Sequence, residues 1–396
     1  MIEVKKPKAW QIILLGGLAL FPETVYSPSL PSIAKTLKTT PSMVEYTLTI
    51  YLFSFSVGSL FWGRISDYFG RKPCVLSGLF VFILGCVGCY FSNSIYTLLI
   101  ARFIQAFGAS IGSVLTQAML RDSFEGPALG KTYSLLGSAL AISPAIGPVI
   151  GGIIVERVFW SHIFSSLAVL GFIVLVIMTR LPETHIRANR QGISFWKVAS
   201  LLLRDKRVMV LCFFIGGVNG IRFSYFAEAP FLMTSLLGVS PTTFGLTFVL
   251  ISLSAMFSSL YTKTLYDHYS TKNIMNRGLN IILFGCVVMC SLVYFSLFVS
   301  LGNLMTAIFL LFSMIVITFG TNILVGSSLS LALQNYKWCT GTASSLFGFF
   351  YYCLTSLFTF GMGMIHNGSL LPMPFYFLMI GVVMKIMKYL LDKENY

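Results

Sequence analysis

Charge is what this sequence has least of: Asp, Glu, Lys and Arg together make up 10% of its 396 residues, against roughly a quarter in ordinary soluble domains. With 56% of the chain hydrophobic, a soluble globule is excluded. Acid is scarcest, 13 Asp and Glu against 27 Lys and Arg, for a net charge of +14. A nucleic-acid partner would require those cations to form a patch among polar neighbours, but here they sit between long apolar runs, so no nucleic acid is expected. The four histidines, His162, His185, His268 and His366, are scattered, and no metal cluster, nucleophile motif or GxxxxGK[ST] run accompanies them. The sequence therefore implies no enzyme, no ATP-driven pump, no metal site and no cofactor. Most of the eight cysteines fall inside apolar segments, and the one CxxC, Cys86 to Cys89, lies mid-run without a second pair. Small packing residues are the ordinary reading.

What the sequence does have is long apolar runs. Crossing about 30 Å of hydrocarbon takes roughly 20 apolar residues, and stretches of that length fall near residues 10 to 30, 43 to 63, 74 to 92, 96 to 119, 131 to 155, 160 to 180, 208 to 234, 243 to 262, 274 to 296, 303 to 333, 340 to 365 and 371 to 390. The first begins like a secretory signal, but Phe21, Pro22 and Glu23 stand where a small-residue cleavage site belongs, so it is expected to be a retained membrane helix. With the N-terminus inside, 22 of the 27 cations fall on the inner side, Lys5, Lys6 and Lys8 at one end and Lys385, Lys388 and Lys393 at the other. Only Lys35, Lys38 and Arg157 lie outside, with Arg102 and Arg222 within spans. By the positive-inside rule the number of spans is even and both termini are cytoplasmic.

The longest polar stretch, Leu181 to Arg207, divides the spans six and six. It sets an organisation of a six-helix bundle over 1–180, a cytoplasmic linker over 181–207 and a second six-helix bundle over 208–396. A shift of 200 residues aligns Ser59, Leu60, Asp67, Lys72, Gly78 and Leu79 with Ser259, Leu260, Asp267, Lys272, Gly278 and Leu279. Two halves of one fold and one orientation are implied, an all-α membrane protein of twelve transmembrane helices in two pseudo-symmetric bundles with a site between them.

Three motifs carry chemistry. Between spans 2 and 3 stand Gly58, Leu60, Gly63, Asp67, Gly70, Arg71 and Lys72, glycines that permit close packing and tight turns beside an acid and two cations able to form state-dependent ion pairs. Span 5 carries Gly137, Pro144, Gly147, Pro148, Gly151 and Gly152, with Gly147 and Gly151 on one face and two prolines interrupting the hydrogen-bond ladder. Span 4 carries Arg102 and Gln105 in RFIQAFGAS, and a guanidinium at that depth must face a wet cavity, snorkel or pair with an acid.

The first run resembles the major facilitator signature GxLxxGxxxDxxGRR, the second the superfamily's antiporter motif, and the third its RxxQG motif with Ala106 in place of glycine. VYSPSLPSIA, MLRDSF and GTASSLFG narrow the resemblance to the twelve-span drug:proton antiporters of the Bcr/CflA group. That resemblance implies a multi-pass protein of the bacterial inner membrane, acting as a monomer. It would export small, lipophilic or cationic molecules such as drugs in exchange for protons by alternating access, and its gating role in the first loop would pass to Asp67 and Arg71 and, through the repeat, to Asp267. Proton-coupled or facilitative transport of a metabolite such as an amino acid or peptide is the alternative. The chain departs from the group in two places: Thr24 stands where an Asp is usual, with Glu23 one residue earlier, and Glu228 takes the place of a small residue. Depth counting puts Glu23, Arg102 and Arg222 at one level, with Glu228 nearer the outer mouth. Glu23 is accordingly expected to be the proton and cation acceptor, tuned by Arg102 and Arg222, with Glu228 a second acid and Tyr26, Tyr225 and Phe226 as aromatic contacts.

Overall fold

The computed structural model describes residues 7–124, 126–184, 195–299 and 301–394. Among them the chain is helical, with no strand. The first six spans are Ala9–Thr36, Pro41–Phe69, Arg71–Tyr90, Ile95–Ser123, Gly126–Arg157 and His162–Met178. A short helix, Phe195–Arg204, follows, and the last six spans are Lys206–Leu236, Pro241–Tyr266, Thr271–Phe298, Asn303–Ala332, Thr340–Ile365 and Pro372–Glu394. Eleven of these helices are long and apolar enough to cross a membrane. The sixth, at 17 residues, reaches about 26 Å at 1.5 Å per residue, the short end of what spans hydrocarbon. Twelve traversals return the chain to the face on which it began, here called the terminal face; the opposite one is the far face. Lys5, Lys6, His185, Arg187 and Arg190 lie outside the described residues.

Span 2 runs six residues past its expected end, to Phe69, and spans 1 and 7 differ from the sequence expectation in form. Span 1 continues six residues past position 30, because the α-helix ends at Val25, a 3-10 turn covers Ser27–Ser29 and a new helical segment runs Leu30–Thr36. Pro28 and Pro31 cannot donate to the ladder, so the break falls where they stand. Span 7 is α-helical to Pro230 and then widens into a π-helical turn, Phe231–Leu236. Span 5 runs as one helix through Pro144 and Pro148.

The repeat of 200 residues is written into the packing. Spans 2 and 8 start alike, with Thr40 and Ser240 side chains accepting from the Met43 and Thr243 amides and Pro41 and Pro241 next in line. Ser54 donates to the Phe103 carbonyl at 2.6 Å, and Ser254 to that of Ile315 at 2.8 Å. Gly78 lies against Gly108 so closely that a Cβ on Gly108 would sit 2.6 Å from the Gly78 carbonyl, and one on Gly320 would sit 2.9 Å from that of Gly278. Span 4 therefore meets spans 2 and 3 as span 10 meets spans 8 and 9, through backbone approach that only small residues allow.

The halves meet along spans 2 and 11 and along spans 5 and 8. In the first seam Tyr46 packs on Phe360 and Phe55 on Tyr352, both at 4.9 Å between ring centres, and Ser356 donates to the Thr49 carbonyl at 2.9 Å. In the second, Glu156 accepts from the Thr242 amide and hydroxyl at 2.9 and 2.7 Å. One buried apolar core is continuous across both halves, while Phe284, Tyr294, Phe295 and Phe298 of span 9 are exposed, as befits a surface bathed in lipid.

Candidate functional site

The break in span 1 is the centre of the molecule's polar chemistry. Glu23, 1% exposed, stands one turn before it with its Oε1 unpartnered. No cation lies within ion-pairing distance of it among the described residues, and the charges that act on it are those of Arg102, from span 4, and Arg222, from span 7. Carboxylate and guanidiniums thus come from both halves into one buried region, where each unpaired charge costs several kcal/mol.

Arg102 is fully buried and finds aromatic faces in place of a counter-ion. Its guanidinium carbon lies 4.2 Å from the ring centres of both Tyr26 and Tyr51, and 6.0 Å from that of Phe164. Nη1 donates to Gln105 Oε1 at 2.6 Å, and Gln105 Nε2 donates to Cys86 Sγ at 3.1 Å; Nε and Nη2 have no hydrogen-bond partner among the described residues. The Tyr26 hydroxyl is tied to Thr47 at 2.8 Å, which fixes one wall of the slot. A planar cation 4.2 Å from two ring centres is an arrangement that suits arginine better than lysine. Tyr351 and Tyr352 of span 11, ring centres 4.7 Å apart, stand within the field of Glu23, and Tyr352 within that of Arg222 as well.

Span 5 builds the wall behind Glu23. A Cβ on Gly147 would meet Thr24, and one on Gly151 would meet the Val25 carbonyl, so the two glycines seat the helix against the residues that follow the acid. The Thr24 hydroxyl shares its proton between the Phe21 and Ser143 carbonyls, at 3.1 and 3.3 Å. Gly152 and Pro148 face span 8 instead, at Pro241 and Gly245. A Cβ on Gly137 would meet no atom within 4 Å among the described residues.

At the terminal face the loop between spans 2 and 3 turns at Gly70, whose φ of +101° suits glycine. Arg71 donates to Asp67 at 2.6 Å, to Ser66 at 2.6 Å and to Asp122 of span 4 at 3.0 Å. The Glu183 carboxylate accepts from the Arg71 and Lys72 amides at 2.8 and 3.1 Å, an anion capping the start of span 3. Gly63 lies under Val114 and Gly58 under Ser110 and Phe107.

The profile of the Major Facilitator Superfamily matches residues 12–360. The chain belongs to this superfamily. It is a multi-pass membrane transporter and not an enzyme. It is 33% identical over 383 residues, 96% of this chain and 95% of the relative, to an "uncharacterized transporter" of Rickettsia bellii. It is 30% identical over 277 residues to a bicyclomycin resistance protein homolog of Haemophilus influenzae, covering 68% of this chain and 70% of that one. The xylose transporter XylE from E. coli, solved in a partially occluded inward-open conformation, superposes with a TM-score of 0.74 at 13% identity over 96% of each chain, a likeness of fold. The Haemophilus relative, together with relatives named for multidrug resistance, supports the resemblance to the drug:proton antiporter group of the superfamily.

Within this major facilitator the second copy of the signature loop is built differently. Asp267 caps the end of span 8, but Thr271 occupies the place of Arg71, and among the described residues no guanidinium draws Asp267 into a network; Arg277 stacks on Tyr269, 3.5 Å from its ring centre. Tyr225 and Phe226 pack on Phe248 of span 8, at 5.9 and 5.1 Å, away from Arg102. Glu228 does not share the layer of Glu23: six residues beyond Arg222 and about 9 Å further along the helix, it meets Glu45 and His366 at the far face. Neither of those two residues was indicated by spacing, and Tyr51, Tyr351 and Tyr352 stood out in no pattern among 18 tyrosines and 36 phenylalanines.

Proposed function

We propose that this major facilitator exports small, lipophilic or cationic molecules from the cytoplasm in exchange for protons, by alternating access, working as a monomer in a bacterial inner membrane with both termini inside. The observation that carries the reading is the buried, incompletely partnered carboxylate of Glu23 at the break of span 1, held in the field of one arginine from each half. An acid so placed holds either a proton or a cationic cargo, and a competition between the two couples their movements in opposite directions. Arg102 and Arg222 set the balance, and the tyrosine walls offer apolar and cation-π contact to a flat cation. The loop of Asp67, Gly70 and Arg71 gates the terminal face, and Gly147 and Gly151 keep span 5 tight against the acid. The resistance proteins among the relatives support a drug-like cargo.

A second reading rests on the same two guanidiniums: an amino acid or short peptide carries a carboxylate that Arg102 or Arg222 would bind, with Glu23 taking the amine. One assay separates the two. Proteoliposomes loaded with tetraphenylphosphonium and given a proton gradient should expel it, and an uncoupler should stop expulsion. Expulsion that continues unchanged without the gradient contradicts proton exchange, whereas gradient-driven movement of amino acids with none of the lipophilic cation replaces the drug reading with the metabolite one.

A further inference from the structure

At the far face, three residues with no sequence relation converge between the halves. Glu45 comes from the second turn of span 2, Glu228 from span 7 just before its π-helical turn, and His366 caps the end of span 11. His366 Nδ1 lies 2.7 Å from Glu228 Oε2 and 3.4 Å from Glu45 Oε1, and both glutamates are 0% exposed. One ligand atom from each lies within 4.8 Å of the others.

Three acceptors in this knot are unanswered. Among the described residues both oxygens of Glu45 and Oε1 of Glu228 have no hydrogen-bond partner, and His366 approaches Glu45 Oε1 at 3.4 Å only as an ion-pair contact. With both carboxyls ionised, two carboxylates against one imidazole leave net negative charge whether the ring is neutral or protonated, and a buried charge of that kind calls for either a proton shared by Glu45 and Glu228 or a cation. A divalent cation would neutralise it and take one oxygen from each carboxylate.

The donor set also selects the kind of cation. One imidazole nitrogen and two carboxylate oxygens suit first-row divalent metals, which leave a fourth position open when three protein ligands bind. Bond lengths of about 2.0–2.2 Å put tetrahedral ligand atoms about 3.4 Å apart, so the contacts of 2.7 and 3.4 Å need adjustments of under an ångström, and the widest separation, within 4.8 Å, needs about 1.4 Å at most. His366 also lines a far-face cavity of about 330 Å³ together with Lys35, Thr39 and Ser235, which gives an ion its way in.

We propose that Glu45, Glu228 and His366 form a binding site for one divalent first-row transition-metal ion, of which Zn²⁺ is the test case, reached from the far face. An ion held there ties span 2 of the first half to spans 7 and 11 of the second and opposes their separation at that face.

The test is Zn²⁺ titration of the purified full-length protein, stripped with chelator, followed by calorimetry and by X-ray absorption at the zinc edge. The wild type should bind one equivalent saturably through a nitrogen and oxygen shell containing a single imidazole. E45Q, E228Q and H366N should each weaken binding by roughly tenfold or more, while H268N, on an exposed histidine at the terminal face, should leave it unchanged. Absence of saturable binding, a sulfur-containing shell from the cysteines, or binding undiminished in the E45Q/H366N double variant would each overturn the proposal. Should the variants not fold, the absorption spectrum of the wild type decides alone. Both readouts are independent of cargo, so they stand whatever the exchange assay gives.

Discussion

A guanidinium 4.2 Å from two tyrosine ring centres is held by shape as much as by charge, and among the described residues Arg102 has only Gln105 as a hydrogen-bonded partner. Replacing it with lysine keeps the charge but cannot fill a planar slot; losing one desolvated contact of about 2 kcal/mol corresponds to a fall of tenfold or more. R102K is expected to lower exchange by about that factor while R102A lowers the melting temperature as well; equal exchange in R102K and wild type would show that the slot serves packing alone. At this scale the sequence was legible where chemistry was rare. Glu23, Arg102 and Arg222 stand out because a charge inside an apolar run has few bland explanations. Tyr51, Tyr351 and Tyr352 did not, because an aromatic in a membrane helix is ordinarily packing, and the convergence of Glu45 with Glu228 and His366 depends on tertiary contact between three remote spans.

Among the elements, span 5 offers a graded experiment in its own glycines. Gly151 abuts the Val25 carbonyl and Gly137 faces open space, so G151A should destabilise by about 1–3 kcal/mol, the cost of overpacking, whereas G137A should stay within about 0.5 kcal/mol. Thermal unfolding of the two variants in detergent checks this, and equal melting temperatures would contradict the seating of span 5 against span 1. The repeat makes a parallel claim: G108A and G320A remove the same kind of backbone approach in opposite halves and should lower the melting temperature by similar amounts. The helices and the repeat could be read from hydropathy and from a few Asp, Lys and Gly coincidences. The length of span 1 could not, since hydropathy falls at Ser27 to Ser29 while the chain continues through a prolyl turn into a further helical segment. Nor did the shared Asp show that only the first loop keeps its arginine, a difference decided by Thr271 alone.

For the whole molecule, alternating access requires the seam of spans 2 and 11 to open and close. Ser56 Oγ lies 3.3 Å from Cys353 Sγ across it, so S56C should form a disulfide with the native Cys353 under mild oxidation. Exchange should then stop, and a reductant should restore it; transport that survives full cross-linking would mean that the halves need not part here. The even number of spans and the likeness of the halves were open to reading from sequence, because they rest on run lengths and charge asymmetry. Which residues face each other across the seam was not, since no periodicity records it. The central claim, that Glu23 exchanges a proton for cargo, has its most direct measurement in lightly buffered detergent solution with a pH indicator. Adding saturating lipophilic cation to the wild type should release protons, and E23Q, still folded by its melting curve, should release none; release from E23Q equal to that of the wild type would contradict the account.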